Sequence, residues 1–119
     1  MSLTYENTID RIQTEREAWV RHNFPLSGVK EHTLGVCEEA GELAHAVLKM
    51  APGTVNDSTI RGEKQEHLDA AADALGDIFM YMCGVATDLN LSLSDCIQAT
   101  WEEVKQRDWV KYPTNGKDK

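Results

Sequence analysis

Two short acidic segments carry the side chains with the clearest chemical potential. Glu38-Glu39-Ala40-Gly41-Glu42 sets three carboxylates close together, and Asp73 and Asp77 are the only charged residues between Ala70 and Ala86. At roughly 100° per helical residue, the three glutamates fall within an arc of about 100° beside an apolar stripe. The two aspartates share one helical face, one turn apart. Like charges repel at that spacing, and partial burial raises the cost, so the pair is expected to persist around something positive. No Lys or Arg occurs between Lys64 and Lys105, and oxygen-only ligands suit a hard cation such as Mg²⁺ or Mn²⁺. The expectation is a metal site between two helices, with Glu38, Glu39 and Glu42 on one and Asp73 and Asp77 on the other. A Glu-rich face taken alone is more often simply solvated. The Asp pair weighs more, because a helix apolar nearly all round is buried on most of its surface, as a central helix or an oligomer interface.

Four helices are needed to position these groups. Periodicity and breakers predict them from about Thr4 to His22, Ser27 to Met50, Glu63 to Leu89, and from an N-cap at Ser92 to about Asp108. Phe24-Pro25 and Pro52-Gly53 act as stops, and Ser92 with Asp95 reads as a capping-box variant. Ala51 to Gly62 has loop composition, and the tail from about residue 113 to 119 is expected to be mobile. The chain of 119 residues suits one all-α, four-helix-bundle-like domain over residues 1–119.

A formal net charge of -8 argues against a nucleic-acid duplex or an anionic membrane as the main partner. A single nucleotide arriving as a metal complex remains compatible with it. The N-terminus lacks the pattern of a signal peptide, and no apolar run approaches the roughly 20 residues of a membrane helix. Cys37, Cys83 and Cys96 form no CxxC pair; they are read as buried free thiols in a reducing cytoplasm.

Other candidates are weaker. Glu42 and His45 make one Glu-x-x-His, the unit of di-iron bundles, but the second copy such bundles need is missing. His45 is therefore read as a lone surface histidine. Gly41 and Gly76 each neighbour a site carboxylate and cost about 1 kcal/mol inside a helix, which close approach of the two helices at the site would explain. Lys105, Arg107 and Lys111 stand with Trp101, Trp109 and Tyr112 and offer phosphate contacts or base stacking. The alternative is that Trp101 and Val104 pack in the core while the cations balance the helix dipole.

At these residues the chain resembles a known family. Glu38-Glu39-Ala40-Gly41-Glu42-Leu43 is similar to the EExxE motif of the MazG-like all-α nucleoside triphosphate pyrophosphohydrolases, and Asp73-Ala74-Leu75-Gly76-Asp77-Ile78 resembles their second motif, ExxD. The stretch from Trp101 to Gly116, with Arg107-Asp108-Trp109 and Tyr112-Pro113, resembles the end of small members. Ala74 stands where the family has the Glu of ExxD, and Asp73 is the nearest acid. The resemblance implies Mg²⁺-dependent hydrolysis of a nucleoside triphosphate to the monophosphate and pyrophosphate. It also implies a homo-dimer or tetramer with sites near subunit interfaces. Glu39, Glu42 and Asp77 would hold metal, and Glu38 or Asp73 would complete the coordination or orient water. Substrate contacts are expected from Lys105, Arg107, Trp109 and Lys111. The competing expectation, motivated by Ala74, is a non-catalytic oligomeric helical protein with a vestigial or regulatory metal site.

Overall fold

The computed structural model describes residues 7–50 and 65–117. These residues form four helices and no strand: α1 (Thr8–Asn23), α2 (Val29–Leu48), α3 (Gln65–Asp88) and α4 (Leu93–Val104). The loop expected from Ala51 to Gly62 and the expected helix start at Glu63 lie outside the described residues.

Capping fixes two of the helix starts. The Asn7 side chain accepts a 2.9 Å bond from the Asp10 amide, so α1 begins at Thr8, later than the expected Thr4. Ser92 Oγ accepts from the Asp95 amide at 3.1 Å, which is the cap expected for α4. Asn90, in the left-handed region at φ 58°, turns the chain between α3 and α4. The fourth helix ends at Val104 rather than near Asp108. Beyond it Asp108 caps a turn, its Oδ1 accepting from the Val110 and Lys111 amides at 3.0 and 2.9 Å. The chain then folds back, and the Asp108 amide donates to the Gly116 carbonyl at 2.6 Å. Gly116 has φ +75°, and a Cβ there would lie 2.9 Å from the Trp109 ring, so only glycine suits this position.

Helix α3 is the hub. It packs against each of the other three, α1 also packs on α4, and no other pair of helices packs closely. The expectation of a central third helix is met in this sense. Gln13 of α1 ties the α3–α4 turn: its amide donates to Thr87 Oγ1 at 3.1 Å and to the Leu91 carbonyl at 2.9 Å, and its Oε1 accepts from the Leu93 amide at 2.8 Å.

The buried apolar set is small: Val20, Ala46, Ala74, Cys83 and Ala86. Many large apolar side chains stay on the surface, among them Trp19, Leu34, Leu48, Leu75 and Ile97. Trp101 and Val104 belong to this exposed group, so packing of that pair in the core does not occur within one chain. Of the cysteines only Cys83 is buried. Cys37 and Cys96 are exposed, because among the described residues nothing covers the helix faces on which they sit.

Candidate metal centre

The α2–α3 pair is held at one end by a polar and steric lock. His32 is buried, with Nδ1 2.6 Å from Asp88 Oδ2 and Nε2 3.3 Å from Ser27 Oγ. The short contact to a carboxylate requires Nδ1 to carry the proton. Gly84 makes room for this arrangement: a Cβ there would lie 2.7 Å from Arg16 Nη1 and 2.8 Å from His32 Nδ1. Gly35 does the same for Tyr81, whose ring would collide with any Cβ at that position. Arg16 Nη1 is buried without a hydrogen-bond partner, and burial lowers the Arg16 pKa against the opposing pull of Cys83, Glu17, Tyr81 and Asp88. Burial pushes the Cys83 thiol up, partly offset by Arg16.

The close approach expected at Gly41 and Gly76 is absent, since a Cβ at either would meet nothing within 4 Å. The glycines that let the helices meet are Gly35 and Gly84, at the end away from the acidic residues. The two helices meet closely where they carry His32 and Tyr81, and where they carry the carboxylates they pack through buried Ala46 and Ala74 and leave a groove beside them.

That space is a cavity of about 600 Å³ whose walls include all five expected carboxylates: Glu38, Glu39 and Glu42 from α2, and Asp73 and Asp77 from α3. Spacing explains the gathering. On α2 the glutamates occupy successive turns of one face, and on antiparallel α3 the aspartates do likewise. Glu39 and Asp77 are half-buried, and Glu38, Glu42 and Asp73 are exposed. Ala74, at the position of the family's Glu, is buried and also lines the cavity. Glu39 feels the crowd: desolvation raises its pKa first, and then Asp77, Glu38, Glu42 and Asp73 each raise it further.

Five carboxylates on one groove have the donor chemistry of a hard divalent cation, and the rise at Glu39 comes from desolvation first and from its acidic neighbours second. Among the described residues, however, no three His, Cys, Asp or Glu side chains are gathered closely enough to hold a metal ion as they lie. Glutamate side chains on exposed helix faces change rotamer readily, so ligation at this wall requires them to turn inward.

A second cavity, of about 810 Å³, adjoins the first. Trp19, Phe24 and Tyr81 line it together with Arg16, Met80 and His32, and Asp77 faces both cavities. The Trp19 and Phe24 rings meet edge to face at 5.8 Å, and the Arg16 guanidinium lies 6.0 Å from the Tyr81 ring centroid. Reasoning from sequence missed this cavity. The available signal was Tyr81, one turn beyond Asp77 on the same helical face.

None of Lys105, Arg107, Trp109 and Lys111 lines either cavity. Lys105 pairs with Glu102 at 2.8 Å, Arg107 approaches Glu103 at 3.7 Å, Lys111 lies 5.3 Å from the Tyr112 ring centroid, and Trp109 covers Gly116. Within one chain these residues bind their own C-terminal segment. His45 and His67, by contrast, both line the carboxylate cavity. In comparisons with known proteins, the chain matches no family model and no curated protein.

Proposed function

We propose that the protein is a divalent-metal-dependent nucleoside triphosphate pyrophosphohydrolase, acting on an NTP or dNTP. The observation that carries this reading is the convergence of Glu38, Glu39, Glu42, Asp73 and Asp77 on one cavity that shares Asp77 with a second one lined by aromatic rings. Carboxylates suit metal-bound phosphates, and aromatic walls suit a nucleobase. Mg²⁺, or Mn²⁺ in its place, would be held by these five residues, and when bound it supplies charge neutralisation at the phosphate oxygens.

The chemistry left to the chain is positioning and proton transfer. Glu38, Glu39 or Asp73 orients a water against the α-phosphorus. The water oxygen bonds to phosphorus, the α–β bridging oxygen takes the electron pair of the breaking bond, and pyrophosphate departs. The water's proton passes to a carboxylate and then to solvent, leaving the nucleoside monophosphate. A homo-dimer or tetramer is part of the proposal, supported by exposed Leu34, Leu48, Leu75 and Trp101. A cytoplasmic setting is proposed from the free thiols. Among the described residues no helix is long and apolar enough to cross a membrane.

Incubation with a panel of nucleoside triphosphates and Mg²⁺ tests the reading. Equimolar monophosphate and pyrophosphate are expected for at least one of them. Orthophosphate alone, or no turnover across the panel, would sink it. The second reading, a non-catalytic oligomeric helical protein with a regulatory metal site, is favoured by the ungathered ligands and by buried Ala74. It requires Glu39→Gln and Asp77→Asn to leave turnover unchanged.

A further inference from the structure

The carboxylate cavity has a direction. Glu38 and Glu39 share its Asp77 end, and Glu42 and Asp73 follow. Past them the lining changes to His45 on α2 and Lys49 at its C-cap, with His67 and Glu66 from α3. Lys49 is the only Lys or Arg in the wall among the described residues. The Glu66 carboxylate lies 3.7 Å from His67 Nε2 and points largely to solvent. The aromatic cavity lies at the other end, with Asp77 lining both. Along the groove the order is therefore aromatic rings, carboxylates, then nitrogen donors.

A nucleoside triphosphate has a matching order: base, the phosphate that is attacked, then the two that leave. Lys49 lies seven positions after Glu42, about 10 Å along the helix axis, which leaves room for a triphosphate between the acids and the lysine. We infer that Lys49, with His45 and His67, forms the subsite for the β- and γ-phosphates, so that the departing pyrophosphate is held at the C-terminal end of α2. This inference rests on the pyrophosphohydrolase reading. It moves the phosphate contact expected of Lys105, Arg107 and Lys111 to a residue that lines the site within the same chain. Lys49 is a compact charge that binds phosphate as a point donor. It offsets negative charge that builds on the bridging oxygen as the bond breaks.

The test is product inhibition. Wild type, Lys49→Ala, Lys49→Arg and, as a control on the exposed start of α2, Lys30→Ala are assayed with a substrate that turns over. Pyrophosphate and the nucleoside monophosphate are each added as inhibitors. Lys49→Ala is expected to weaken pyrophosphate inhibition about ten- to a hundredfold and to lower kcat/KM by a similar factor, with monophosphate inhibition within about twofold of wild type. Lys49→Arg is expected to restore most of the loss, and Lys30→Ala to behave as wild type. Unchanged pyrophosphate inhibition in Lys49→Ala, or equal weakening of both inhibitors, overturns the subsite while leaving the hydrolase reading intact. If wild type turns over no nucleotide, the hydrolase reading itself falls. Calorimetric titration of pyrophosphate with Mg²⁺ into wild type and Lys49→Ala then decides the subsite: weaker binding in the variant supports it, and equal binding removes it.

Discussion

The two ends of the α2–α3 pair are built on opposite principles. At one end His32 meets Asp88, Tyr81 fills the space left by Gly35, and Arg16 reaches in over Gly84. At the other end the same two helices carry five carboxylates along an open groove, and desolvation together with the other four raises the proton affinity of Glu39. One end satisfies a buried polar group and contributes stability. The other gathers like charges that cost stability unless a cation joins them. A small domain keeps a costly site by anchoring it to a well-packed neighbour on the same helices.

If this division is sound, variants should separate cleanly. The largest effect is expected at the open end: Asp77→Asn or Glu39→Gln should lower Mg²⁺-dependent turnover by about a hundredfold or more. Their melting temperatures without metal should be equal to or slightly above wild type, because a repulsion is removed. A fall of several degrees in melting temperature would mean that the carboxylates hold the fold together and would break the comparison.

Next in size, His32→Ala should cost about 2–3 kcal/mol of stability by leaving the Asp88 carboxylate without its partner. Denaturant unfolding measures it, and Mg²⁺ affinity should persist below the new midpoint. Gly35→Ala should cost about 1–3 kcal/mol, because the Tyr81 ring must move. Tyr81 also lines the aromatic cavity, so this variant should raise KM for the nucleotide more than it lowers kcat.

The smallest effect is the pH response. Glu39 has a raised pKa when folded, so its charged form is the disfavoured one. Its contribution to stability is present below the ordinary glutamate range and is lost as pH rises through the raised value. Without metal, melting temperature should therefore drift downward over that window. Glu39→Gln should flatten the drift, and Mg²⁺ at neutral pH should reverse it.

Much of the architecture was legible in the sequence, for identifiable reasons. Helical periodicity marked all four helices, and the Ser92–Asp95 cap was readable because an N-cap acts through residues three apart. The carboxylates could be grouped because spacings of three and four residues act within a helix. What lay beyond reach depends on contacts distant in sequence. The aromatic cavity joins Trp19 and Phe24 to Tyr81, and no local pattern links them. The positions of close approach, Gly35 and Gly84, are set by which side chain sits opposite, so Gly41 and Gly76 looked equally suitable. Cys37 and Cys96 lie on apolar stripes, and their exposure follows from the lack of a covering helix among the described residues.

Among the described residues, helix α2 has α3 as its only close helical neighbour. In amide hydrogen exchange its two halves should therefore behave differently. Amides near Gly35, beside the His32 lock, should exchange only when the whole domain opens. Those from Glu42 to Leu48, along the open wall, should exchange through a smaller and less costly opening. Ligand bound across the groove would draw the second half into the cooperative unit of the first, so slowed exchange confined to that half would mark occupancy with no change in the rest of the fold.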